Sequence, residues 1–281
     1  MSQTVQFPTS APIAHIVVTT PSAQQQKESQ LLARGKVTLP KDCQLYIELC
    51  YDGPTHIETL EQIDCDQVTK FSAAKLEFED SHLTHLRKFK NLIALNLDST
   101  LVTEKSWPVI GSFPKLWMLR VNSTDITGSG FGCLSNSHSL SKLDVEGILL
   151  KPGSIAKLKT LAGNLTALNV SKTGLTTVDM PAIGELHLLR RLDLSGNKKV
   201  ADNQAKYLQP LVCLEVLNIS DTAITEKSLP VLDRLPHLKK VLIRNGQFWT
   251  SGHPQKSKSG ATFVDVGSTN RAPIEVFSPL H

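Results

Sequence analysis

Residues 214–225 read "LEVLNISDTAIT". Leu214, Leu217 and Ile219 have the spacing of a strand that buries every second side chain, with one more apolar residue on the approach. Ser220, Asp221 and Thr222 then interrupt it, yet Ile224 is apolar again and no helix has begun. A strand that stops while its chain keeps returning aliphatic side chains to the same place cannot bury them alone. The stretch has to be matched by copies of itself.

Those copies are present. Stepping back from Leu214-x-x-Leu217-x-Ile219-x-x-Thr222-x-Ile224, Leu189, Leu192, Leu194 and Asn197 match, with Val200 displaced by one. Before them come Leu165, Leu168, Val170, Thr173 and Leu175, then Leu140, Leu143, Val145, Ile148 and Leu150. Leu116, Leu119, Val121, Thr124 and Ile126 follow the pattern, as do Leu92, Leu95, Leu97, Thr100 and Val102. Val68, Phe71, Ala73, Leu76 and Phe78 form a degenerate earlier copy, and Leu238, Val241 and Ile243 open a later one. The step is 24 or 25 residues throughout. A fixed period of this length is the mark of stacked units that share one core.

The second half of each unit advances by threes: Leu229, Leu232, Leu235, Leu238; Trp107, Ile110, Phe113, Leu116; Met180, Ile183, Leu186, Leu189; Leu83, Leu86, Phe89, Leu92. That spacing lines one stripe of a short α- or 3₁₀-helix. Ser106-Trp107-Pro108, Asp179-Met180-Pro181 and Ser228-Leu229-Pro230 are expected to start helices, with Ser or Asp capping and Pro in the first turn.

Strand, turn, short helix, strand, with LxxLxLxxT/NxI as the signature, resembles the leucine-rich repeat family over about residues 68–245, roughly two thirds of the chain. The convex-helix variants are the most similar, ribonuclease-inhibitor-like or the related short bacterial repeats. Thr stands where most members carry Asn, and only Asn197 keeps that residue. The resemblance implies an α/β fold, a right-handed and curved leucine-rich repeat solenoid. Its parallel sheet would lie on the concave face and its short helices on the convex one. Thr222 is expected to sit where the chain bends inward, its hydroxyl satisfying a backbone group that leaves the ladder. About eight strands spaced ~4.8 Å would give an inner edge of about 35–40 Å.

Both ends of such a stack need covering. Residues 41–67 keep alternation at Leu45, Ile47 and Leu49 and then step by threes at Ile57, Leu60 and Ile63, which reads as a divergent capping repeat. Residues 1–40, rich in Gln, Ser, Thr and Pro, are expected to form a disordered polar tail. Residues 246–281 read as a C-terminal tail with a possible edge strand at 261–266, "ATFVDV".

Composition narrows the function classes. A formal charge of +4 over 281 residues is too mild to argue for nucleic acid. No apolar run approaches the ~20 residues of a membrane helix. "APIAHIVV" at 11–18 contains a His and lacks a basic start, unlike a secretory signal. Five cysteines (Cys43, Cys50, Cys65, Cys133, Cys213) with no C-x-x-C pair read as free thiols of a reducing, cytoplasmic compartment. The alternative location is outside the cell, as an effector without a classical signal.

Neither a phosphate loop, G-x-S-x-G nor H-E-x-x-H occurs. The carboxylates Asp144, Glu146, Asp193 and Asp221 fall where a solvent-facing strand or turn needs polarity, and no nucleophile–base arrangement accompanies them. His82-x-x-His85 offers two ligands from one helical face, but Arg87, Lys88 and Lys90 crowd it with positive charge. Asn122, Asn164, Asn169 and Asn218 begin glycosylation triplets that the repeat itself generates. No catalysis, cofactor or metal is expected.

The family commonly binds proteins on its sheet face, so the resemblance implies another protein as partner. Two groups stand out among the residues between the buried ones: Trp117, Met118 and Arg120, of types enriched at binding hot spots, and a basic patch of Arg190, Arg191, Lys239, Lys240 and Arg244. Asp144 and Asp193 complete the expected contact set. Non-catalytic protein recognition through the concave face is the expected function. The alternative is a secreted effector or assembly adaptor that docks through its N-terminal tail.

Overall fold

A computed structural model describes residues 2–21, 27–244 and 260–266. Met1, residues 22–26 and the rest of the C-terminal tail lie outside the described residues. By contacts the chain divides into two units, residues 1–125 with 136–139 and residues 126–135 with 140–281.

In the first unit the strands are β1 (Ser2–Gln6), β2 (Ala14–Thr20), β3 (Lys27–Leu32), β4 (Lys36–Pro40), β5 (Gln44–Leu49), β6 (Val68–Ser72), β7 (Ala94–Asn96) and β8 (Met118–Arg120). β5 through β8 are parallel neighbours. The expectation of a disordered tail over 1–40 is corrected here. β2 joins the same sheet, antiparallel to both β5 and β3, while β1 and β4 make a separate two-stranded ribbon. The reason is alternation that composition masks: Val5 and Phe7, Ile16 and Val18, and Val37 and Leu39 are all buried. Ile16 faces Ile47, which faces Phe71, Leu95 and Leu119 in turn, so the N-terminal segment extends the apolar spine. Residues 41–67 supply β5 and a 3₁₀ segment, Pro54–Gln62, that buries Ile57 and Leu60.

The second unit holds β9 (Lys142–Asp144), β10 (Ala167–Asn169), β11 (Arg191–Asp193), β12 (Val216–Asn218), β13 (Lys240–Ile243) and β14 (Thr262–Asp265). All are parallel and in register, so Leu143, Leu168, Leu192, Leu217, Val241 and Phe263 are consecutive rungs. Fully burying each such side chain contributes roughly 1.5–3 kcal/mol, and the first five are completely buried. The strand at Thr262–Asp265 closes the edge of β13 in this unit.

The bend after each strand follows a rule. The hydroxyls of Thr100, Thr124, Thr173 and Thr222 each donate to the carbonyl three residues back, at 2.7–2.8 Å. Asn197 does more: its Nδ2 donates to Leu194 O and to Val170 O of the preceding coil, while its Oδ1 accepts from the Leu175 amide. Thr therefore satisfies the bend within one coil, and Asn ties two coils together. One residue before each bend the backbone is left-handed, at Lys75, Ser99, Ser123, Gly147, Lys172, Gly196 and Asp221.

The helical halves are single turns, Asp80–Leu83, Trp107–Ile110, Met180–Gly184 and Leu229–Leu232, set among 3₁₀ segments. The expectation that Ser106, Asp179 and Ser228 cap helix amides is also corrected, for none makes a capping hydrogen bond. All three are buried and hold neighbouring segments instead. Asp80 accepts from the Thr103 amide (2.9 Å), the Thr103 hydroxyl (2.6 Å) and Ser106 Oγ (2.5 Å). Asp202 repeats this with Thr225 and Ser228 at 2.7, 2.7 and 2.5 Å. Asp179 accepts from the amides of Gly153 and Thr176. The actual caps are Thr103 and Thr225, whose hydroxyls accept from the Lys105 and Lys227 amides. No helix among the described residues is long and apolar enough to cross a membrane.

Candidate interaction surface

Strand register places the outward side chains in rows. In the first unit Val17, Tyr46, Lys70, Ala94 and Met118 share one row, each opposite the next. Val17 and Tyr46 belong to this row only because β2 and β5 flank the repeats. Burial and the nearby Glu48 carboxylate push the Tyr46 hydroxyl up to about 12, against a hydrogen bond with Ser72. Trp117 immediately precedes β8 and stays 42% exposed, whereas Met118 is 4% exposed.

Arg120 is held within the fold. Its guanidinium pairs with Asp98 at 2.5 Å, and Asp98 also accepts from the Asn122 amide at 3.0 Å. Burial raises the Asp98 carboxyl above its ordinary range, although Arg120 pulls it the other way. Truncating Arg120 would strip a buried carboxylate of its partner, so it reports on stability before it reports on binding.

In the second unit the first row reads Lys142, Ala167, Arg191, Val216, Lys240, and the row beside it Asp144, Asn169, Asp193, Asn218, Leu242. The second row corrects the solvent-facing reading of its acids: Asp144 is 2% exposed and Asp193 5%. These side chains serve the backbone. Asp144, Asn169, Asp193 and Asn218 each accept from the amide two residues on, at 3.4, 2.9, 2.8 and 3.1 Å. Asn218 Nδ2 also donates to Asp193 Oδ2 at 2.8 Å. Such Asx turns end the strand and start the bend. Burial raises the Asp193 carboxyl, and hydrogen bonds from Ser195 and Asn218 offset it only in part. A raised carboxyl suits a general acid, but both Asp193 oxygens are engaged and the side chain is covered.

The basic patch is partly neutralised. Glu215 accepts from Lys239 at 2.8 Å and from Arg190 at 3.1 Å, and Arg244 pairs with Asp221 at 3.2 Å. The hydrogen bond from Lys239 and the surrounding cations hold the Glu215 carboxyl below its ordinary range. Arg191 and Lys240 are exposed and form no ion pair among the described residues. Of the expected contact set, Trp117, Arg190, Arg191, Lys239 and Lys240 are thus the exposed side chains, with Arg190 and Lys239 paired to Glu215.

The other chemical candidates resolve into structure. His82 Nδ1 accepts from the Glu79 amide, while His85 Nδ1 meets Glu61 at 2.6 Å, so the two rings answer to different partners. Asp64, Cys65 and Asp66 bring ligand atoms within 4.8 Å of one another. Asp64 already accepts from the Asp66 backbone amide, and Asp66 from the Asn91 side-chain amide. The five cysteines are free thiols. A cavity of about 290 Å³ in the first unit is lined by Thr19, Pro21, Asp42, Cys43 and Gln44. There, burial and then Asp42 push the Cys43 thiol up, which suits a packed thiol and not a nucleophile.

No family model matches the sequence, and no curated protein matches it. Solved structures do match. An internalin (InlF) from Listeria monocytogenes superposes with a TM-score of 0.52 at 16% identity, covering 76% of this chain and 71% of that one. Internalin C2 (InlC2) from the same organism gives 0.58 at 18% identity, covering 76% and 92%. Identities this low speak to architecture alone, and the architecture they share with the in-register parallel rungs described above is the leucine-rich repeat solenoid.

Proposed function

We propose that this chain is a recognition protein with no catalytic step, gripping a protein partner on the outward face of its parallel sheet. The observation that carries the reading is the division of labour between rows. The second row is consumed by the chain's own strand ends. In each unit, residues of the first row and its margin, Trp117 in the first and Arg191 and Lys240 in the second, stand on a backbone lattice whose spacing is set by hydrogen bonds. Side chains held this way lose little freedom on binding, which favours affinity. An exposed Trp is the residue type that most often anchors such contacts.

The test is capture of binding proteins by the full chain, compared with Trp117→Ala and with Val216→Trp, which adds bulk to the first row. Both should lose capture while keeping the unfolding midpoint. Val212→Ala, exposed after the 3₁₀ segment Asp202–Leu208, should keep it. Equal capture by all four proteins would remove the sheet face from consideration.

A further inference from the structure

We propose that the outer edge of β3 pairs with the same strand of a second copy of this chain, two antiparallel strands joining their sheets across a two-fold axis. This goes beyond the sheet-face reading and stands independently of it. β3 (Lys27–Leu32) has β2 as its only neighbour among the described residues. Five of its six side chains are exposed and Leu31 is half-buried. The Ala33 amide donates to Ala14 O at 2.8 Å, so Ala33 faces β2. In an antiparallel ladder the backbone groups of successive residues point to opposite edges. Leu31, Ser29 and Lys27 therefore face β2 as well, while the amides of Glu28, Gln30 and Leu32 point away from it. Such a row is a template for another strand, which natural edges blunt with proline, a bulge or charge. Here the register with β2 runs unbroken, no proline occurs, and the two charges, Lys27 and Glu28, stand together at one end.

The chemistry of the edge selects a second copy as the occupant. With the two-fold axis at Gln30, each outward residue meets an outward residue: Gln30 meets Gln30 of the other copy, and Glu28 meets Leu32 of the other copy. All three outward amides then find carbonyl acceptors. The Leu32 oxygen already takes the Arg34 amide at 2.9 Å, and its second lone pair serves the new bond. No like charges stand opposite one another, whereas an axis at Glu28 would set two carboxylates face to face. Arg34 lies two residues beyond Leu32, is exposed, and donates from Nε to Thr9 O at 2.8 Å. In this register it comes diagonally across from Glu28 of the other copy, a separation of about 7–8 Å that long side chains bridge. The two-fold axis makes that contact twice. An acid at one end of the edge and a base at the other are what antiparallel self-pairing brings together.

The experiment is sedimentation of the full chain over a range of concentrations, in which the parent should pass from monomer to dimer. Gln30→Pro removes an outward amide and no bond to β2, a position where an edge strand tolerates proline. It should stay monomeric and keep its unfolding midpoint in dilute solution. Glu28→Arg should weaken the dimer about tenfold, since two exposed ion pairs become two repulsions. Glu28→Arg together with Arg34→Glu should restore most of that loss. Under mild oxidation Gln30→Cys should give a disulfide-linked dimer, because residues paired on the axis have Cα atoms about 5.5 Å apart. Glu28→Cys, whose two copies would stand about 13 Å apart, should link no more than the parent with its five free thiols. The proposal is overturned if the parent stays monomeric at every concentration, if Gln30→Pro still dimerises with its midpoint intact, or if Glu28→Cys links as readily as Gln30→Cys. If Gln30→Pro fails to fold, the charge exchange decides: no loss in the single change, or no recovery in the double, removes this edge. A monomeric parent would leave the edge to the chain's own residues or to another protein. It would not touch the sheet-face reading, which rests on capture by Trp117→Ala and Val216→Trp.

Discussion

The strand ends at Asp193 and at Arg120 face the same demand and meet it differently. After Asp193, the Ser195 amide is taken up by Asp193's own carboxylate at 2.8 Å. Arg120 has no acceptor to offer, and the Asn122 amide turns instead to Asp98 of the preceding coil at 3.0 Å. Asp98 then holds Arg120 as well. The backbone's need is set by the bend and recurs with the repeat, while the side chain that answers it is negotiable between coils. Polar residues on such a face are therefore spoken for first by the fold. A binding residue is one left over after that claim.

Asp98→Ala gives the largest effect expected from this contrast. It removes the carboxylate that a largely buried guanidinium and the Asn122 amide share, and should lower unfolding free energy by about 3–5 kcal/mol in denaturant titration. The double change Asp98→Asn with Arg120→Asn should recover most of that loss. The asparagine introduced in place of Arg120 would accept from the Asn122 amide, as Asn96 accepts from the Asp98 amide at 3.1 Å. No recovery would mean that the inter-coil arrangement carries more than the amide's satisfaction.

Asp193→Asn should behave oppositely. The Ser195 acceptor survives and a buried charge is removed, while Asn218 Nδ2 loses the oxygen it donates to, so the two changes largely offset and stability at neutral pH should stay within about 1 kcal/mol of the parent. The pH dependence sharpens this. Because the folded state raises the Asp193 pKa, the native protein holds its proton longer than the unfolded chain does. Its contribution is fully present below the unfolded carboxylate value of about 3.9 and is lost as pH rises through the folded value. Asp80 and Asp202 run the other way. Burial opposes their ionisation, but hydrogen bonds from Ser106 and Thr103, and from Ser228 and Thr225, hold both carboxyls below the ordinary range. Their contribution is present above the unfolded value and lost as pH falls through the folded one. Unfolding midpoints followed into acid should thus drop more steeply for Asp193→Asn than for the parent, since the variant lacks the compensating gain.

The left-handed bends give one effect of intermediate size and the smallest of all. Gly196 has φ +73, and a Cβ there would come within 2.7 Å of the Lys172 side chain. Gly196→Ala should cost about 1–2 kcal/mol, the penalty of left-handed backbone for an L-residue. Lys75→Gly, at a bend with φ 65, should shift the thermal midpoint slightly or not at all, because relief of strain is offset by a freer unfolded chain.

The period and the spine could be read from the residues because a stacked repeat needs only local order: Leu143, Leu168, Leu192 and Leu217 meet once each coil repeats the last. The hydroxyl's role at Thr222 was legible for the same reason, since its partner lies three residues away. The N-terminal strands were hidden because their partners are distant. The alternation at Ile16 and Val18 gains meaning only when β5 pairs beside it, and a Gln- and Ser-rich composition argues against it until then.

Sequence by itself settled that the chain coils on a shared aliphatic core, because hydrophobic periodicity is a property of one coil copied many times. Which polar side chains face a partner was decided only by tertiary structure. Whether Asp193 or Arg120 is covered depends on what the adjacent coil offers, and no single coil contains that information.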